Sequence, residues 1–102
     1  MSDAEVLAQI AFSAGALRDL ERAFEFYAKD DPALAATQIA AVRSAVMSLA
    51  DHPFIGRPAK YGLRELVISR GKTGFVALCR FSLQRDVVRV LRIRHQRELA
   101  YL

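Results

Sequence analysis

A chain of 102 residues, 53% hydrophobic and 25% charged, is long enough to bury one core without disulfides or metal, and its composition excludes a disordered polyelectrolyte. The formal net charge of +4 hides an asymmetry: residues 1–51 carry 8 acids and 4 bases (net −4), residues 52–102 carry 3 acids and 11 bases (net +8). A basic half of this kind points to an anionic partner (RNA, DNA or an acidic protein segment) or to a solvated basic surface.

Val6 to Phe12 is a short apolar run ending at Ser13, and it predicts a buried strand followed by a capped helix. In that helix Leu17, Leu20, Phe24 and Tyr27 draw one apolar stripe, with Arg18, Glu21, Arg22, Glu25 and Lys29 on a solvated face. Asp31-Pro32 breaks it and caps a second helix, whose stripe is Ile39, Val42, Val46 and Leu49. That helix must end near Asp51, ahead of His52-Pro53. The two helices form a hairpin with one shared apolar side, and such a side needs a sheet to cover it.

His52 to Gly62 is dense in Pro and Gly and reads as an ordered loop. Arg64 to Arg70 alternates as a strand, Gly71 to Gly74 makes a turn, and Phe75 to Leu83 is a second strand. Gln84 to Asp86 turns the chain into a third, beginning DVVRVLRIRHQRE. Strict alternation there sends Val88, Val90, Arg92 and Arg94 to one face, and Arg89, Leu91, Ile93 and His95 to the other. Residues Gln96 to Leu102 are expected to add a helical turn. The prediction is a two-layer α+β domain over residues 1–102. Its order is β-α-α-β-β-β, with a helical hairpin on a mainly antiparallel four-stranded sheet.

Arg64, Arg80, Arg92, Arg94 and Arg97 are the cations that such a sheet would carry towards its exposed end. A guanidinium grips phosphate oxygens through a planar fork, so their convergence would hold a nucleic-acid backbone or stabilise a phosphoryl-transfer transition state. His95, among these cations, suits proton transfer, or else hydrogen-bonds the backbone or a partner; His52 at a helix end reads as structural. Cys79 is the only cysteine and reads as a small core residue. Two distant histidines and one cysteine make no metal-ligand set, and no glycine loop for a phosphate cofactor is present, so neither metal nor cofactor is expected. No basic signal-peptide start and no unbroken apolar run of membrane-spanning length is seen, and a cytoplasmic location is expected.

Four phrases together resemble the RelE/ParE superfamily of bacterial type II toxin–antitoxin toxins. They are FSAGALRDLERAFEFYA, LADHPFIGRP, GLRELVIS and VVRVLRIRHQRE, which span almost the whole chain in the family's order. The resemblance implies a small toxin neutralised by an acidic, partly disordered cognate antitoxin, in a higher-order complex with no membrane. It leaves two mechanisms. ParE-like members inhibit DNA gyrase without catalytic groups; RelE-like members cleave messenger RNA on the ribosome. The phrase HPFIGRP followed by GLREL is closer to the ParE side. On the RelE side His95 would be the general base and Arg80 and Arg64 would hold phosphate. On either side Arg92, Arg94 and Arg97 would serve nucleic acid or an anionic partner.

Overall fold

The computed structural model describes residues 8–68 and 74–95, in which two helices lie against one face of a five-stranded sheet. The strands are β1 (Gln9–Phe12), β2 (Arg57–Pro58), β3 (Arg64–Ile68), β4 (Phe75–Ser82) and β5 (Val87–His95), in the order β1-β5-β4-β3-β2. Only the β1–β5 pairing is parallel. The helices are α1 (Ala14–Ala28) and α2 (Pro32–Met47), and a 3-10 turn at Ser48–Ala50 extends α2. The expected α+β layering and element order are therefore present, with one addition. The predicted loop holds β2, a strand of two residues that pairs Arg57 with Glu65 and Pro58 with Arg64. No periodicity can announce an element that short. Arg70, the turn from Gly71 to Thr73, Arg97 and the expected helical turn all lie outside the described residues.

Both helix starts follow from their caps. Ser13 Oγ accepts from Ala16 N at 3.0 Å, and Asp31 Oδ1 accepts from Leu34 N at 3.0 Å with Pro32 in the first turn. Each satisfies a backbone donor that has no partner inside the helix. The core joins Ala16 of α1, Val42 and Val46 of α2, and Leu49 to Phe75, Ala77, Cys79, Val88, Val90 and Ile93 of the sheet. Of the expected α2 stripe Val42, Val46 and Leu49 are buried, whereas Ile39 is half-buried and Ala35, one turn earlier, is buried in its place. By length and composition Pro32–Ala50 would also pass for a membrane-crossing helix, which a search for unbroken apolar runs overlooks. In this fold its Ala35, Val42, Val46 and Leu49 are core residues.

The α1 stripe differs from the expectation. Leu20 and Tyr27 pack on the core, but Leu17 and Phe24 are exposed, and the fully buried positions of the helix are Ala16 and Asp19. Small residues face the sheet because α1 runs close to β5: a Cβ on Gly15 would lie 3.2 Å from Arg92 Cδ and 3.4 Å from Leu91 O.

The largest departure is in β5. Cys79 pairs with Val90, but Leu78 pairs with Arg92, so Leu91 is an extra residue, a β-bulge. A bulge shifts the phase of every side chain beyond it. Ile93 consequently joins Val88 and Val90 in the core, and Arg94 pairs with Val76 rather than continuing the Val88 face. Strict alternation had placed Ile93 and Arg94 the other way round.

Candidate functional site

Among the described residues, no strand lies beside the β1-facing side of β5 beyond Val90, since β1 ends at Phe12. Unpaired strand edges leave backbone groups to be satisfied some other way. Here α1 supplies the partners. Ser13 Oγ donates to Leu91 O at 2.7 Å, and Ile93 N donates to Asp19 Oδ2 at 2.8 Å. Asp19 also accepts from Arg92 Nε at 2.8 Å, Arg92 Nη2 at 2.9 Å and Arg22 Nη2 at 2.7 Å. Its side chain is 2% exposed. Burial pushes the carboxyl pKa up, but the bonds from Arg92, the Ile93 N–H and Arg22 together outweigh that and hold it below the ordinary value of 3.8. Arg92, expected to meet a partner, is thus engaged inside the fold. The sequence signal for Asp19 is a carboxylate set between Ala16 and Ala23 on the side of the helix that packs on the core.

Arg64 is likewise occupied. Its Nη1 donates to Gly56 O at 2.7 Å and Phe54 O at 3.2 Å, and its guanidinium carbon lies 5.0 Å from the centroid of the Phe54 ring. The residue ties the loop before β2 to the start of β3.

His95, at the other end of the sheet, pairs with Phe75, whereas Arg64 pairs with Cys79 four residues along β4, roughly 13 Å by strand rise. The imidazole is half-buried, 5.5 Å from the Phe75 ring and 6.3 Å from that of Tyr27 between centroids. Arg80 is exposed on the face away from the helices, directly opposite the exposed Arg89 of β5. The structure brings Arg80 and Arg89 together, and places half-buried Arg94 further along that face. It does not bring His95, Arg80 and Arg64 together. Among the described residues there is no cluster of three or more metal-ligating side chains.

A helical hairpin over a bulged, mostly antiparallel sheet, with basic residues spread over the face away from the helices and the loops, defines a RelE/ParE-type toxin fold. Solved structures agree in fold. The chromosomal ParDE system of Pseudomonas aeruginosa matches with a TM-score of 0.75 at 22% identity, over 89% of this chain and 98% of that one. The RelBE2 toxin–antitoxin complex of Mycobacterium tuberculosis matches at 0.63 and 25% identity, over 89% and 100%. Free RelE of Escherichia coli, in a mutant form, matches at 0.65 and 12%, over 89% and 85%. Among curated proteins there is no match. Residues 10–100 match the family described as the ParE toxin of type II toxin–antitoxin systems, and the chain belongs to that family.

Proposed function

We propose that this toxin arrests growth by binding and inhibiting DNA gyrase, not by cutting RNA, and that a cognate antitoxin neutralises it. The dispersal of the candidate catalytic groups carries the reading. A general base must reach the proton it abstracts, with phosphate-holding cations around the same reacting centre. His95 instead packs against the Tyr27 and Phe75 rings, Arg80 lies on the opposite face of the sheet, and Arg64 is bonded to two loop carbonyls. An inhibitor that works by occupying a protein surface needs no such convergence. Its target would place its action in the cytoplasm. The exposed apolar residues of the hairpin, Leu17, Phe24, Leu34 and Met47, offer the antitoxin a surface to cover.

One observation favours a second reading. Arg80, Arg89 and Arg94 share the face away from the helices, which suits a polyanion and hence a RelE-like, ribosome-dependent nuclease. Two assays on the purified toxin separate the readings. The first reading predicts blocked supercoiling by gyrase and intact messenger RNA in a translating ribosome mix. Codon-positioned cleavage with normal supercoiling would reverse the assignment.

A further inference from the structure

The end of the sheet where β4 finishes and β3 and β5 begin collects three segments that share an unusual property. The loop before β2 exposes Phe54 (52%) and Ile55 (57%), the turn between β2 and β3 exposes Tyr61 (84%), and the turn between β4 and β5 exposes Leu83 (77%). Their common location follows from register: Arg64 pairs with Cys79 and Ser82 with Val87, so both turns and the loop held by Arg64 cap the same strand ends. The Phe54 ring, 5.1 Å from Phe81, connects the loop to the strand that leads into Leu83.

The tip formed by Phe54 and Ile55 is fixed in place. Arg64 bonds the carbonyls on both sides of Ile55, and Ile55 N donates to His52 O at 3.1 Å. Gly56 lies so close to β3 that a Cβ there would sit 2.9 Å from Glu65 O. A loop fixed in this way presents an anchor without a further ordering cost on binding. The surrounding charge is of one dominant sign. Lys60 and Arg85 are exposed in the two turns, and the Arg80–Arg89 pair borders them on the sheet. Two like charges directly opposite across a strand pair repel, and a neighbouring anionic surface would relieve that cost. Glu65 is bonded to Arg57 at 3.2 Å, which leaves Asp51 and Asp86 as the acids nearby in sequence.

We infer that this end of the sheet is the surface by which the toxin docks on its target protein, taking a face that offers an apolar pocket rimmed by carboxylates. The inference rests on the reading that the toxin acts by binding a protein. It sets the target surface apart from the helical hairpin, so that target binding and antitoxin binding are separable by mutation.

Two surface variants test it in the full chain. Ile55→Asp with Leu83→Asp removes the apolar anchors, and Lys60→Glu with Arg85→Glu reverses the rim charge. Each is measured for growth arrest, inhibition of gyrase supercoiling, thermal midpoint and affinity for the cognate antitoxin. The apolar variant should lose growth arrest and at least tenfold in inhibitory potency, with its midpoint unchanged and antitoxin affinity within about twofold. The charge variant should weaken inhibition by a factor that shrinks as salt rises. Full arrest by both soluble variants overturns the inference. So does a parallel loss of antitoxin affinity, which would give this surface to the antitoxin. Loss of translation-dependent messenger RNA cleavage by the variants would assign it to the ribosome and overturn it as well. If the wild type arrests growth yet leaves supercoiling intact, the gyrase reading fails alone, and the growth assay decides the docking surface by the same criteria.

Discussion

Asp19 of α1 and Arg92 of β5, 73 residues apart in sequence, meet through two hydrogen bonds of 2.8 and 2.9 Å beside a buried bond from Ile93 N to the same carboxylate. The pair fastens the first helix to the bulged end of the last strand, on the side where, among the described residues, the pairing with β1 has ended. Removing one partner of a buried pair strands the other charge, which typically costs about 3–5 kcal/mol. Asp19→Ala is therefore expected to lower the thermal midpoint by roughly 12 °C or more for a domain of this size. A calorimetric midpoint within a few degrees of wild type would show that solvent replaces the bonds without penalty.

The same carboxylate sets an acid limit. Its pKa in the fold lies below the ordinary value, so the unfolded chain takes up a proton before the folded one does. Its contribution to stability is fully present above the unfolded value of about 4 and is lost as pH falls through the folded value. Urea midpoints measured from pH 6 to pH 2 should fall for the wild type over the lower part of that range. Asp19→Asn, weaker throughout, should fall less steeply below pH 4. Parallel profiles would remove Asp19 as a cause of acid sensitivity.

Arg64 fixes the loop before β2 through the carbonyls of Phe54 and Gly56. Arg64→Ala should cost about 1–2 kcal/mol, at the low end for hydrogen bonds from a charged donor because the site is partly solvated. Arg64→Lys should recover little, since an ammonium lacks the planar fork and its stacking on Phe54. Hydrogen exchange at Ile55, whose N–H is bonded to His52 O, reports the loop directly and should speed up in both variants. Unchanged exchange would mean that the loop holds itself.

Much of this arrangement is written locally in the chain. Ser13 and Asp31-Pro32 announce the helix starts, and the Val42, Val46, Leu49 stripe and the apolar run that opens Phe75–Ser82 announce the core. What escaped notice depends on contacts between distant segments. The bulge at Leu91 leaves Val88, Val90 and Arg92 looking like regular alternation, and only buried Ile93 betrays the change of phase. The stripe of Leu17 and Phe24 is genuine, yet the close approach of Gly15 to Arg92 selects the smaller face with Ala16 and Asp19 for burial. For the candidate site the sequence offers residue types and not their placement: whether a guanidinium meets a ligand, a loop carbonyl or Asp19 is decided by strand register.

Cys79 offers a built-in probe of opening. Burial pushes its thiol up to about 12, and its residue is 4% exposed within the core. The thiolate is the reactive form, so the folded protein should resist a thiol reagent at pH 8. Labelling should follow global unfolding, accelerating in urea in proportion to the unfolded fraction, and in Asp19→Ala before the wild type. Rapid labelling of the native wild type would reveal a local opening of β4 that the packing does not suggest.

His95 separates packing from proton transfer. Its ring meets those of Phe75 and Tyr27, so part of its role is aromatic contact on the helix-covered side of the sheet. His95→Ala removes that contact and should cost about 1 kcal/mol, a size at which a change in toxicity would be ambiguous. His95→Phe keeps the ring and deletes both nitrogens. If the toxin acts by binding a protein, a folded His95→Phe should keep its growth arrest and supercoiling inhibition within about threefold. A well-folded His95→Phe that no longer arrests growth, joined by the disappearance of new messenger RNA ends on induction, would make the imidazole a proton carrier and the toxin a nuclease.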